Sequence, residues 1–282
     1  MPVGGKVVMI TGCDTGFGCE TAKRMSEMGF QVIAGCLTRK GVEQFSEMKN
    51  IYALILDISK EESIEDAFSL IYKKYPGGIW ALINNAGITD GLTLEFTTME
   101  TYRRVFEINL FGHILVTKRA LPLIKKTKGR IINMSSISGR IPSADMSAYT
   151  ASKHAMIGWT KSIAGDLGKF GIKVVSIQPT FMRTPIVMEV NKNIQNTIYQ
   201  APKDTFHEYG GETFAKDYEE RLKKVTAIAQ DPQQVVDAYI NATISQYPKE
   251  DYVVGSVTSI LIFLYNVLPW HHFVVMLKKL LG

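Results

Sequence analysis

Short apolar runs alternate along the chain with longer stretches in which apolar residues recur at three- and four-residue spacing. The runs are Val7 to Ile10, Gln31 to Cys36, Tyr52 to Leu56, Ile79 to Ile83, Arg130 to Asn133 and Lys173 to Ile177. Their length and near-continuous apolarity read as strands buried on both faces, and intervening stretches such as Cys19 to Met28 read as helices. Strands and helices in alternation predict an α/β fold, a doubly wound parallel sheet with helices on both faces in three layers, α/β/α. Right-handed crossovers bring the carboxyl ends of the strands to one edge, and a ligand is expected there, where the strand order reverses. No internal repeat, low-complexity tract or interdomain linker interrupts the pattern, so a single domain over 1–282 is predicted.

The residues that follow each strand carry the candidate chemistry. After the first comes Thr11-Gly12-Cys13-Asp14-Thr15-Gly16-Phe17-Gly18, leading into a helix. Gly12 permits a tight turn, Gly16 lets the backbone approach a phosphate, Gly18 lets helix and strand pack closely, and free N–H groups at the helix start face an anion. Asp57 follows the third strand, Asn85 the fourth, Ser136 the fifth and Pro179 the sixth. Downstream, Tyr149 and Lys153 stand four residues apart and share one helix face. A phenol ionises near pKa ~10, and a fixed cation beside it is expected to lower that value, making Tyr149 a general acid/base.

Composition narrows the function class. The 282 residues are 46% hydrophobic, enough for one large core, and carry a formal net charge of +5. That charge is spread along the chain with no dense Lys/Arg run, which argues against nucleic acid as a partner. Cys13, Cys19 and Cys36 fall in the first strand-helix-strand unit without zinc-like spacing, and no histidine pair has ligand spacing. Reduced thiols and no bound metal are expected.

With these motifs in place, the chain resembles the short-chain dehydrogenase/reductases, with recognisable motifs from Thr11 to Thr184 and similarity over nearly its whole length. The glycine spacing T-G-x-x-x-G-x-G, Asn84-Asn85-Ala86-Gly87, Asn109 in Glu107-Ile108-Asn109-Leu110, Ser136 in Asn133-Met134-Ser135-Ser136, and the Tyr149/Lys153 pair all carry the likeness. The resemblance implies a Rossmann-like fold and a reversible alcohol/carbonyl oxidoreductase. Tyr149 would move the hydroxyl proton, Ser136 would hold the substrate oxygen, Lys153 would bind the nicotinamide ribose, and Asn109 would position a water leading from Lys153 to solvent. The cofactor is expected against Gly12, Asp14, Gly16, Phe17, Gly18, Thr38, Asp57, Ile58, Asn85, Ala86, Gly87, Tyr149, Lys153, Pro179 and Thr184, with Asp57 accepting from the adenine amine. Pro179 to Thr184 matches the family's P-G-x-x-x-T segment except that Thr180 replaces the glycine. The expected divisions are a cofactor-binding part over 1–182, a helical substrate lid over 183–231, and a C-terminal helix, strand and apolar tail over 232–282.

Cofactor choice turns on Cys36-Leu37-Thr38-Arg39-Lys40, where an acidic residue would bind the ribose 2′-hydroxyl and a basic one would favour a 2′-phosphate. Arg39 and Lys40 point to NADP, but Ala34 to Thr38 resembles the NAD-using retinol, hydroxysteroid and 3-hydroxybutyrate branch, and NAD is the expected cofactor. Thr38→Asp is expected to widen that preference. The lid holds Tyr199, Phe206, Tyr209, Phe214 and Tyr218 with the pair Gly210-Gly211, readable as packed surface aromatics or as a substrate cover; the cover is preferred because long insertions are commonly functional. The first strand starts too near Met1 for a leader or anchor, which predicts a cytoplasmic protein. At the other end, Val257 to Phe263 reads as a final buried strand followed by a pocket-covering helix; the rival is peripheral contact with an intracellular membrane, with Phe273 to Leu281 in the interface and Lys278-Lys279 snorkelling. A homodimer or homotetramer is expected. The substrate is a retinoid or steroid alcohol, or a short hydroxy acid held by Arg140 or Arg183; a non-catalytic dinucleotide sensor is the alternative of another class.

Overall fold

The computed structural model describes residues 3–184, 197–256 and 258–281, with side chains up to 276. Among these residues one parallel sheet contains β1 (Val7–Thr11), β2 (Gln31–Cys36), β3 (Ile51–Ile55), β4 (Ala81–Asn84), β5 (Arg130–Met134), β6 (Lys173–Pro179) and β7 (Asp251–Val254), in the order β3-β2-β1-β4-β5-β6-β7. The helices are α1 (Gly16–Glu27), α2 (Arg39–Glu43), α3 (Glu61–Lys74), α4 (Met99–Phe106), α5 (Gly112–Thr127), α6 (Ser147–Gly168), α7 (Lys203–Glu208), α8 (Glu212–Ala227), α9 (Gln233–Ile244), α10 (Thr258–Val267) and α11 (Trp270–Leu281).

The strand period of two sorts the apolar runs onto two faces. Val8, Ile10, Val32, Ala34, Ile83 and Ile132 point to one side, against Ala22 and Met25 of α1 and Val235 and Tyr239 of α9. Met9, Ile33, Leu82, Ile131 and Val174 point to the other, against Ile64, Phe68 and Ile71 of α3 and Val116, Ala120 and Leu123 of α5. Continuous apolar strands are what a sheet covered on both faces needs, and each fully buried Ile, Leu or Val contributes ~1.5 to 3 kcal/mol. The order reverses between β1 and β4, which pair in parallel, and the crevice at their carboxyl ends holds the site.

The tail departs from expectation. The edge beside β6 is taken by Asp251–Val254, in the register Ser176 to Asp251 through Pro179 to Val254, so the strand expected over Val257 to Phe263 is not there. The chain turns away at Gly255, where φ is +129°. Val257 lies outside the described residues, and Thr258–Val267 is a helix. An apolar run of this length suits either element, and periodicity alone does not separate them. As a helix it puts Leu261, Leu264, Tyr265 and Leu268 against the buried Phe273 and against Ile137 and Ile141, while Ile260, Phe263 and Val267 stay exposed. The expected strands β3 and β4 also differ slightly, running 51–55 and 81–84.

Candidate active site

The loop after β1 is built by close approach. Gly12 has φ +70°, and a Cβ there would stand 2.8 Å from the Ala86 Cα; one on Gly18 would meet the Gly12 carbonyl oxygen at 2.3 Å and Asn85 Nδ2 at 2.6 Å. Asn85 clamps this loop to the end of β4, its Nδ2 donating to the carbonyls of Thr11 (2.9 Å) and Gly12 (3.1 Å) and its Oδ1 accepting from the Tyr239 hydroxyl at 3.0 Å. Thr11 Oγ1 accepts the N–H groups of Asn85 and Ala86, both at 3.0 Å. Gly16, with φ +63°, has no atom within 4 Å of its Cβ position. The helix behind it has no side-chain cap and no acidic residue in its first turn, so its N–H groups are left for an anion.

At the other end of the crevice, β5 and α6 supply Ser136, Tyr149 and Lys153. Ser136 leaves β5 as the cap of a short 3-10 turn, its Oγ accepting the Ser138 N–H at 3.1 Å. Burial pushes the Tyr149 phenol above its ordinary value, and the neighbouring Ser136 and Thr89 hydroxyls oppose the shift without cancelling it. Lys153 is buried, and its Nζ donates to the Met134 carbonyl at 3.2 Å and lies 5.5 Å from the centroid of the Tyr149 ring. Burial lowers the ammonium to about 8. The sequence expectation that Lys153 lowers the phenol is therefore corrected: here two hydroxyls act on Tyr149, while Lys153 is itself under pressure to lose its proton.

Asn109 sits in a π-helical turn, Glu107–Phe111, between α4 and α5. Its amide is spent on structure, with Oδ1 accepting the Ile88 N–H at 2.9 Å and Nδ2 donating to the Ile88 carbonyl (2.9 Å) and to Ser152 Oγ (3.1 Å). It thereby ties the loop after β4 to α6. Gly87 leaves the space this needs, since a Cβ there would stand 3.2 Å from Asn109 Oδ1 and 3.7 Å from Lys153 Nζ. His113 was not anticipated. It is fully buried, its Nε2 lies 2.7 Å from the Ala86 carbonyl, its Nδ1 has no partner, and burial, with the Lys153 charge adding, lowers it to about 3. The signal was its place four residues beyond Asn109. Thr89 likewise follows directly on the Asn84 to Ile88 string.

A cleft of about 730 Å³ runs along the strand ends and is lined by Gly12, Asp14, Gly16, Phe17, Thr38, Asp57, Ile58, Asn85, Ala86, Gly87, Ser136, Tyr149, Lys153, Pro179 and Thr184. Gly18 and Asn109 lie behind its wall. Gln44, not anticipated either, also lines it and donates from Nε2 to the carbonyls of Cys13 (3.3 Å), Asp14 (3.1 Å) and Gly41 (2.9 Å). For Asp57, burial opposes ionisation, but the Ser59 hydroxyl and N–H and the Lys60 ammonium outweigh it and hold the carboxyl below its usual value. The three cysteines are buried free thiols.

The family model for short chain dehydrogenases matches residues 6–195. The chain belongs to the short-chain dehydrogenase family. It is 33% identical over 265 residues to bovine mitochondrial D-beta-hydroxybutyrate dehydrogenase, covering 89% of this chain and 77% of that one. It is 34% identical over 258 residues to mouse retinol dehydrogenase 16, covering 89% and 80%. The 3-ketoacyl-(acyl-carrier-protein) reductase of Brucella melitensis, solved with NADH, superposes with a TM-score of 0.70 at 25% identity, over 89% of this chain and 95% of that one. This short-chain dehydrogenase is an oxidoreductase acting on CH–OH groups with a nicotinamide dinucleotide. Its uncapped helix start, the open side of Gly16 and the cleft along the strand ends fit that cofactor.

Thr180, which replaces a family glycine, is accommodated by another glycine, because a Cβ on Gly255 would lie 2.4 Å from Thr180 Cγ2. The aromatics of the segment expected as a lid pack as a small core, Phe96 lying 5.0 Å from Tyr209 and 5.7 Å from Phe214 between ring centroids. From α8, Tyr218, Leu222 and Val225 line the cleft, and Arg221 donates to Asp145 at 2.6 Å. The expected lid residues 185–196 lie outside the described residues. Arg140 is not available to a substrate: it donates to Gln178 (2.9 Å) and pairs with Asp251. Arg183 is exposed and is not part of the cleft wall.

Proposed function

We propose that this short-chain dehydrogenase interconverts a lipophilic secondary or primary alcohol, a retinoid or hydroxysteroid, and its carbonyl, with NAD as the preferred cofactor. One observation carries the substrate class. Beyond Tyr149 the described wall includes the apolar Ile137, Met146, Phe181, Met182, Leu222 and Val225 beside the uncharged Ser138, Thr180, Tyr218 and Thr226, and Lys153 is the single charged side chain at that end. The other charged residues of the wall, Asp14, Lys40 and Asp57, stand at the ends of β1, β2 and β3. A hydroxy acid would lose the solvation of its carboxylate with no arginine in the described wall to replace it, whereas an apolar skeleton gains ~25 cal/mol per Å² buried.

The chemistry follows from the same groups. Bound nicotinamide supplies the hydride acceptor or donor. Ser136 Oγ holds the substrate oxygen beside Tyr149. In the reductive direction the Tyr149 phenol gives its proton to that oxygen and becomes phenolate, and in oxidation the phenolate takes the hydroxyl proton and becomes phenol again. The raised phenol favours the protonated, proton-giving form. Lys153 orients the ribose, and Asn109 fixes the loop and helix on which these groups stand. Among the described residues no helix is long and apolar enough to cross a membrane. We also propose peripheral lipid contact through α10 and α11, supported by the exposed Ile260, Phe263, Val267 and Trp270 and by the lack of any acidic residue after Asp251. The side chains of Lys278 and Lys279 lie outside the described residues.

The test is NADH formation measured in parallel with retinol, androstanediol and 3-hydroxybutyrate. Turnover of a lipophilic alcohol at the highest kcat/KM is expected. Preference for 3-hydroxybutyrate would refute the substrate class, and dinucleotide binding without turnover of a broad alcohol panel would favour the sensor.

A further inference from the structure

We infer that Asp14, in the loop after β1, is the acidic group that selects a ribose 2′-hydroxyl over a 2′-phosphate, standing in for the acidic residue that the end of β2 lacks. The inference rests on the reading of the protein as a nicotinamide dehydrogenase and adds the residue that sets its cofactor preference.

The four residues after β2 are Leu37, Thr38, Arg39 and Lys40, none of them acidic. The carboxylate of Asp14 nevertheless occupies this strand end, reaching over from the neighbouring loop. Its Oδ2 accepts the Leu37 N–H at 2.7 Å, and its Oδ1 accepts both the Thr38 N–H at 3.0 Å and the Thr38 hydroxyl at 2.7 Å. That hydroxyl also accepts the Gly41 N–H at 3.0 Å, so its own proton is committed to Asp14. Gly41 makes the room: a Cβ there would stand 2.3 Å from Asp14 Oδ1. Asp14 is thus held at the cleft wall by strand-end groups, not merely exposed on a loop.

A carboxylate has about four acceptor directions. Three are used here, and Oδ2 keeps one for a hydroxyl donor. A phosphate monoester brings ~1.5 to 2 negative charges at neutral pH and no dependable proton. Lys40 lines the same part of the cleft and would attract it, but Arg39 is not among the lining residues. One cation therefore faces one fixed anion. The same geometry reverses an expectation drawn from sequence. Thr38→Asp would place a second carboxylate where the first now receives a hydroxyl at 2.7 Å. It should weaken both dinucleotides instead of sharpening the choice.

The test is calorimetric titration of nucleotide-stripped wild type and Asp14→Asn with NADH and NADPH, and with the fragments 5′-AMP and 2′,5′-ADP. Asp14→Asn keeps the size and an acceptor oxygen while removing the charge, and Asp14→Ser serves as the second variant should the amide disturb the loop. Wild type is expected to bind NADH more tightly than NADPH. Either variant should move the ratio of the two dissociation constants at least tenfold toward NADPH, mainly by gained affinity for NADPH and 2′,5′-ADP. Equal weakening of both dinucleotides, with no gain for 2′,5′-ADP in either variant, would mean that Asp14 only shapes the loop, and would overturn the inference. So would a wild type that prefers NADPH. Binding of neither dinucleotide by wild type would instead strike the functional reading itself.

Discussion

Replacing Lys153 by Met should make the protein more stable and nearly inactive. The ammonium sits among apolar and main-chain groups, and desolvation alone lowers its pKa from 10.5 to about 8. At pH 7 the lysine is protonated both folded and unfolded, so the folded state bears that cost in full. A shift of about 2.5 units corresponds to about 3 kcal/mol at ~1.36 kcal/mol per unit. Against it stands one hydrogen bond, Nζ to the Met134 carbonyl at 3.2 Å, worth about 1 kcal/mol. A methionine of similar length should therefore gain about 2 kcal/mol, or a rise in Tm of about 4 to 8 °C in a domain of this size. The sign with pH is fixed too. In wild type, stability rises as pH climbs from the folded pKa near 8 toward 10.5, where the unfolded lysine still holds a proton that the folded one has released. The variant lacks this rise, so its advantage should fade above pH 9. Thermal unfolding of nucleotide-stripped protein at pH 7, 8 and 9.5 measures it, with Lys153→Arg as a control that keeps the charge and should gain nothing. A Lys153→Met protein less stable than wild type at pH 7 would refute the account of Lys153 as a strained cation kept for function.

Tyr149→Phe should cut turnover ~100- to 10,000-fold while leaving the NADH dissociation constant within a few-fold; more than a tenth of wild-type activity would remove Tyr149 from the proton transfer. Gly18→Ala should abolish dinucleotide binding in a titration while the fold persists by circular dichroism, because its Cβ would meet the Gly12 carbonyl oxygen at 2.3 Å. His113, lowered to about 3 from 6.5, contributes stability that is present above pH 6.5 and lost as pH falls, about 2 kcal/mol between pH 7 and 5; His113→Gln should flatten that part of the urea-denaturation profile, and an unchanged slope would contradict the assignment. Phe263→Glu combined with Trp270→Glu should abolish co-sedimentation with anionic liposomes while leaving kcat in detergent-free buffer near wild type; unchanged sedimentation would exclude this face as the lipid contact.

The sheet was legible because every strand but the last is a short apolar run between helical stretches, and the strand period then dictates which face each residue of Val7–Thr11 or Gln31–Cys36 enters. The last strand was missed for the converse reason. Asp251–Val254 is only four residues long and begins with an acid, and its place depends on the edge that β6 offers, which no local pattern records. The apolar run after it belongs to a helix whose partners, Ile137 and Ile141, lie over a hundred residues earlier. The site divides in the same way. Glycines needed for close approach can be read from spacing, since a Cβ on Gly12 would strike the Ala86 backbone and one on Gly18 the Gly12 carbonyl and the Asn85 side-chain amide. The charge state of a group depends on what surrounds it. From spacing, Lys153 looks like the cation that activates Tyr149; in the fold the desolvation that would strengthen that effect also lowers Lys153 itself. For the same reason Asp14, expected only as one of many residues against the cofactor, proves to reach across to Leu37 and Thr38. An acidic residue missing from a motif is thus replaced by one that only the adjacency of β1 and β2 brings to the same place.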